Sequence, residues 1–196
     1  MKHLVYLLLF PLWIQAQQIR IESKMENETA FSNDLKSFEN MVYYNFDFVS
    51  DLDKKLNFEI IQKEFTNGKL VNKHVYFDSK SLPDFLKSNR VPFSILAKQS
   101  DIQSYKLMFK FYESLTIFRK FSTTQSESKS FKIFVNLAQK FDVNKTYLLG
   151  GIIKPIKIGD NLYRDCDFNS ALNEYENWYS VFGLDQYVVF EIKFYE

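Results

Sequence analysis

The residues whose types and spacing can do chemistry gather late in the chain. Asp165, Asp167, Asn169, Ala171, Asn173 and Glu176 occupy positions one, three, five, seven, nine and twelve of a twelve-residue window. A hard Ca²⁺ ion takes about six to eight oxygens, which alternate side chains, a backbone carbonyl and a closing bidentate Glu supply in such a window. Leu172, at position eight, fits the apolar anchor of a loop of this kind. The same side chains also suit a plainer role, because Asp and Asn at a helix start cap free N–H groups and complement the helix dipole. Other chemistry is sparse. Once an N-terminal leader is removed, His74 is the single histidine, and Cys166 is the single cysteine. A multi-histidine zinc site and a disulfide framework are therefore excluded. The chain has no G-x-S-x-G elbow and no phosphate-binding glycine loop.

The window Asp165–Glu176 resembles the loop of an EF-hand, which would imply calcium as a ligand. It departs from that pattern where Ser170 replaces the turn-forming Gly, and where Ile152–Tyr163 reads as β or irregular chain instead of an entering helix. The helix that follows also begins inside the window. Asn169 is a suitable N-cap, Ala171, Leu172, Tyr175, Trp178, Tyr179 and Phe182 share one face, and Gly183 sits where a left-handed terminator belongs.

The elements that would position these residues are mostly strands. From Val42 the apolar period is two: Val42, Tyr44, Phe46 and Phe48 alternate with Tyr43, Asn45, Asp47 and Val49. A strand starting near Leu56 runs to Phe65, and Thr66-Asn67-Gly68-Lys69 predicts a tight hairpin returning through Leu70–Phe77. Ser81, Leu82 and Pro83 suggest a short helix, followed by a strand at Pro92–Ala97. Tyr105, Leu107, Phe109 and Phe111 share a face, as do Leu115, Ile117, Arg119 and Phe121, then Phe131, Ile133, Val135 and Leu137. Pro155 makes residues 145–158 either an edge strand or two strands split by a bend. Val188, Phe190, Ile192 and Phe194 close the pattern, while Phe31, Leu35 and Phe38 give the polar segment 17–41 a short helix. The expected fold is one domain over 42–196, an antiparallel β-sandwich of about eight or nine strands with one helix near the C-terminus. A single antiparallel sheet under a helical layer is the alternative.

Met1–Ala16 reads as a secretory signal: Lys2 precedes a short apolar run, Leu4–Ile14, and Ala16 is a small residue at a cleavage position. The run is about half the roughly 20 residues of a bilayer span, so no stable membrane span is expected after cleavage. The whole chain carries 25 Lys and Arg against 24 Asp and Glu. Loss of Lys2 with the leader leaves the remainder formally neutral, without the basic footprint of a nucleic-acid binder. The 21 Phe and 12 Tyr fit a thick β core, with a second use as ligand-facing rings at Tyr43, Tyr76 and Tyr112.

Three functional classes follow. The first is a secreted or periplasmic, soluble, non-enzymatic domain that binds a protein, a glycan or a cell-surface partner and needs no cofactor. The others are an extracytoplasmic hydrolase and a small outer-membrane β-barrel.

Overall fold

The computed structural model describes residues 18–24, 29–51, 55–83, 87–101, 104–112, 115–122, 130–136, 138–154, 156–157, 163–164 and 172–195. The strands are β1 (Gln18–Ser23), β2 (Met41–Ser50), β3 (Asn57–Thr66), β4 (Lys69–Asp78), β5 (Arg90–Asp101), β6 (Ser104–Phe111) and β7 (Leu115–Ser122). They continue as β8 (Ser130–Ile133), β9 (Lys140–Asp142), β10 (Thr146–Ile153), β11 (Ile156–Lys157), β12 (Tyr163–Arg164) and β13 (Gln186–Tyr195). Helix α1 (Ala30–Phe38) precedes β2, and α2 (Trp178–Phe182) precedes β13.

Two antiparallel sheets form the body. One has six strands in the order β7-β6-β5-β2-β1-β9, and the other has five in the order β4-β3-β13-β10-β8. Among the described residues neither sheet closes on itself; each ends in two edge strands. The inward faces meet through phenylalanine. Phe48 lies 5.0 Å from Phe194, Phe58 5.2 Å from Phe111, Phe77 4.5 Å from Phe111, and Phe109 5.4 Å from Phe190, measured between ring centroids. This is a β-sandwich with an aromatic interior, which displaces the single-sheet alternative.

Local chemistry explains the elements. Asn67 and Gly68 both adopt positive φ, 50° and 73°, as a type I′ hairpin turn requires. Thr29 caps α1 by accepting from the Ser32 N–H at 3.2 Å. Gly183 terminates α2 in the left-handed region, its N–H donating to the Tyr179 carbonyl at 2.9 Å.

Three expectations need correction and one open alternative is decided. Among the described residues the two sheets hold eleven strands instead of about eight or nine, because Lys140–Asp142 supplies β9 and the segment assigned as polar supplies β1, whose Ile19 and Ile21 are buried while Arg20 and Glu22 face outward. The late helix is shorter than Asn169–Phe182. Its described part begins with a 3-10 stretch, Leu172–Asn177, broken by non-helical dihedrals at Glu174, and only five residues are α-helical. There the Tyr187 hydroxyl donates to the Tyr175 carbonyl at 2.8 Å, drawing it away from helix pairing. Of the two readings of residues 145–158 the structure keeps the split one: β10 lies between β13 and β8, so it is not an edge, and β11 follows as a separate strand. Finally, the 3-10 turn Ser79–Ser81 is capped by Asp78 and Leu82 is extended, so no helix opens at Ser81, while residues 84–86 of the expected helix lie outside the described residues.

Candidate functional site

The outer face of the six-stranded sheet carries the candidate site. The pleat turns Tyr43 of β2, Leu96 of β5, Met108 of β6 and Phe118 of β7 away from the core. Register then sets them side by side: Tyr43 opposite Leu96, Leu96 opposite Met108, Met108 opposite Phe118. Four apolar side chains thus make an unbroken ridge across four strands, about 14 Å long at ~4.8 Å per strand. The first three are half-buried by their neighbours, and Phe118 at the edge is 67% exposed. At the other end α1 leans on β2, with the Lys36 ammonium 4.7 Å from the centre of the Tyr43 ring. Leu35 and Phe38 of α1 are exposed beside it, Phe38 by 85%.

Polar rows border the ridge. Met41, Lys98, Lys106 and Lys120 face one another in register on one side, and Asn45, Ser94, Lys110 and Thr116 on the other. Lys98 is ion-paired with Glu39, and Lys120 stands 4.0 Å from Asp101 with both side chains more than half exposed. Lys106 and Lys110 are exposed and have no ion pair among the described residues.

The rest of this face neutralises itself. Asp47, almost fully buried, meets Arg90 at 2.5 Å and Lys24 at 2.9 Å, and Glu22 bridges Arg90 at 2.7 Å and Arg20 at 3.0 Å. Arg20 continues to Asp51 at 2.7 Å. Hydrogen bonds from Arg90 and Arg20 hold the Glu22 carboxyl below its usual range.

On the five-stranded sheet the segment 172–184 covers the outer face of β13 and the adjoining end of β3, while edge strand β4 leaves Leu70, Val71 and Val75 exposed. Phe65 and Tyr187 stack at 4.8 Å, and Trp178 buries itself against Tyr187 at 5.5 Å. Beneath the 3-10 stretch, Lys63 Nζ donates to the Tyr175 hydroxyl at 2.5 Å and to Glu191 Oε1 at 3.0 Å, while Tyr175 donates to Glu191 at 2.5 Å. Burial and the Glu191 hydrogen bond push the Tyr175 hydroxyl up to about 12, so it stays a donor at neutral pH. These three groups pin the segment to the sheet.

A cleft at the hairpin end, lined by Glu64, Val71, Phe121, Ser122, Gln186 and Val188, holds about 80 Å³. Ligand pockets for drug-sized molecules start at about 300 Å³.

The structure separates the three candidate tyrosines. Tyr43 belongs to the ridge. Tyr76 is not solvent-facing: it is 6% exposed, because a register shift between Ile60 and Ile61 lets it and Phe77 both turn inward. Its ring meets Phe109 at 5.1 Å edge-on and lies 5.5 Å from the Arg119 guanidinium. Tyr112 is half-buried against the core at the end of β6, with a positive φ of 54°. It shares no face with Tyr43.

Asp165, Asp167, Asn169 and Ala171 lie outside the described residues, as do Cys166 and the signal segment, and so does the side chain of Asn173. Glu176 is exposed on the 3-10 stretch. Among the described residues no three His, Cys, Asp or Glu side chains converge as metal ligands. His74 is exposed on β4, its ring 6.5 Å from that of Tyr76.

Sequence reasoning missed Leu96, Met108 and Phe118. Each adjoins core residues in the sequence (Ile95 and Ala97, Leu107 and Phe109, Ile117) and has polar residues two places to either side, so nothing local marks it as a surface residue and only strand register aligns the three. Comparison with known proteins gave no match: no family model, no curated protein and no solved structure is similar to this chain.

Proposed function

We propose that this chain is an exported, non-enzymatic β-domain that binds a protein, a glycan or a cell-surface partner through the outer face of its six-stranded sheet. The observation that carries this reading is the ridge Tyr43–Leu96–Met108–Phe118, continuous across four strands and bordered by lysines. Singly exposed apolar residues are ordinary on a protein surface, whereas a contiguous apolar patch with a polar rim marks an interaction site. The leader Met1–Ala16 supports delivery to the periplasm or the cell exterior, where such a face would meet its partner.

The test places a photo-cross-linking phenylalanine analogue at Phe118, or at exposed Val181 on α2 as control, and irradiates each with intact source cells and their medium. The expected result is an adduct from Phe118 alone, competed by excess unlabelled protein but not by Leu96→Ser/Met108→Ser. Equal labelling at both positions, or no competition, removes this face from the account.

A further inference from the structure

We infer that the partner of this face is a protein whose contact patch is an apolar core ringed by Asp and Glu, an inference that rests on the ridge being the binding surface. The middle of the ridge decides against a glycan. Leu96 and Met108 offer no ring face for a sugar to stack on, and the rings of Tyr43 and Phe118 stand at opposite ends. Apolar centres rich in aromatic side chains and Met, within polar rims, are the anatomy of protein–protein contacts.

The rims supply the charge. Lys98, Lys106 and Lys120 sit directly opposite one another on adjacent strands. Like charges in that arrangement repel. Among the described residues Glu39 and Asp101 relieve the row, at Lys98 and Lys120. Lys106 and Lys110 flank Met108 on β6, about 7 Å to either side at the two-residue repeat of a strand. Further along β2 and β5, and on neighbouring β1, the same face interleaves Arg20, Glu22, Asp47, Arg90 and Lys24 into a self-neutralising network. On this face, among the described residues, the lysines without an ion pair therefore lie at the borders of the apolar ridge. Carboxylates from a partner would both relieve the lysine row and steer the encounter.

The height of the side chains argues against a lipid surface. Lysine stems stand taller than the Leu and Met between them, so a flat bilayer would rest on ammonium groups without reaching the ridge. A partner protein can seat apolar side chains between the two rows.

The experiment titrates isotope-labelled protein, followed by amide NMR, with two synthetic amphipathic peptides that share one apolar face. One carries Glu on its flanks, the other Lys. The expected result is that the Glu peptide shifts amides of β5, β6 and β7 around Lys106, Met108, Lys110 and Phe118. Its affinity should exceed that of the Lys peptide by about tenfold or more and weaken as salt rises. Lys106→Glu/Lys110→Glu, whose dispersed spectrum shows that it is folded, should invert the preference.

Equal affinity for both peptides, lost in Leu96→Ser/Phe118→Ser, overturns the acidic partner and keeps the binding face. Failure of both peptides to shift the face overturns the face as well. Binding to phosphatidylcholine–phosphatidylglycerol vesicles in preference to the Glu peptide transfers the site to a lipid surface and overturns the protein partner.

Discussion

On the five-stranded sheet, outward Phe65, Tyr187 and Val189 disappear beneath Trp178, Leu184 and Tyr175 from the chain's own segment 172–184. On the six-stranded sheet, Tyr43, Leu96, Met108 and Phe118 point outward in the same way, with α1 against the Tyr43 end and Phe118 exposed at the other. The polar groups differ in parallel. Lys63 on the first face is locked between Tyr175 and Glu191, whereas Lys106 and Lys110 on the second stand in solvent. The centre of one face is closed by intramolecular packing, with exposed apolar side chains left only along its edge strand β4. The other has the composition of an interface, and this contrast supports placing the binding surface there.

The largest test of the comparison is a pair of truncations. Trp178→Ala empties a fully buried site and should cost about 3–5 kcal/mol by urea unfolding. Phe118→Ser, on the open face, should stay within about 0.5 kcal/mol. Similar losses at the two sites would show that Phe118 is part of the fold and end the contrast.

A smaller effect is expected from Lys63→Met. It leaves Glu191 buried without its cation and should cost about 1–3 kcal/mol. Lys63→Met/Glu191→Leu should recover much of that loss, because removing both partners leaves no buried charge. If the double variant is no better than the single one, the trio does more than pin the 3-10 stretch.

The smallest effect sharpens the distinction within the six-stranded sheet, between the compensated network and the lysine rims. Glu22 titrates below the ordinary value of 4.5 because Arg90 and Arg20 hydrogen-bond its charged form. A depressed carboxyl stabilises the fold above its unfolded pKa, and that contribution is lost as pH falls through the folded value. Wild type should thus melt above Glu22→Gln at neutral pH, with the gap closing as pH drops below about 4.5. A gap that persists in acid would assign the effect to packing instead of charge.

How far these features were legible in the sequence follows from the range of the forces that set them. The Asn67-Gly68 hairpin was readable because its positive φ values are a local property of those two residues. The inward faces of β6 and β13 were readable because a buried strand repeats every two residues. Strand β1 was hidden by its brevity and by charged residues between Ile19 and Ile21. The late helix was overdrawn because its periodicity says nothing of Tyr187 taking the Tyr175 carbonyl. Tyr76 was misplaced because a register shift is invisible without the partner strand. The ridge was illegible for the same reason. Tyr43 was singled out as a ring on a strand, but its alignment with Leu96, Met108 and Phe118 exists only once four strands are in register.

Strand β13 stands between β3 and β10, although almost all of the chain precedes it. Lys63 and Glu191, neighbours across that seam, are 128 residues apart in sequence. The five-stranded sheet therefore has no centre until residues 186–195 arrive, and its Phe-rich strands wait with half of their hydrogen-bonding edges open. Contacts of such long sequence separation form slowly. Until β13 joins, the open edges of β3 and β10 are templates for pairing with another copy of the chain. Closure of this sheet is then timed by the docking of β13 rather than by the hairpin formed first.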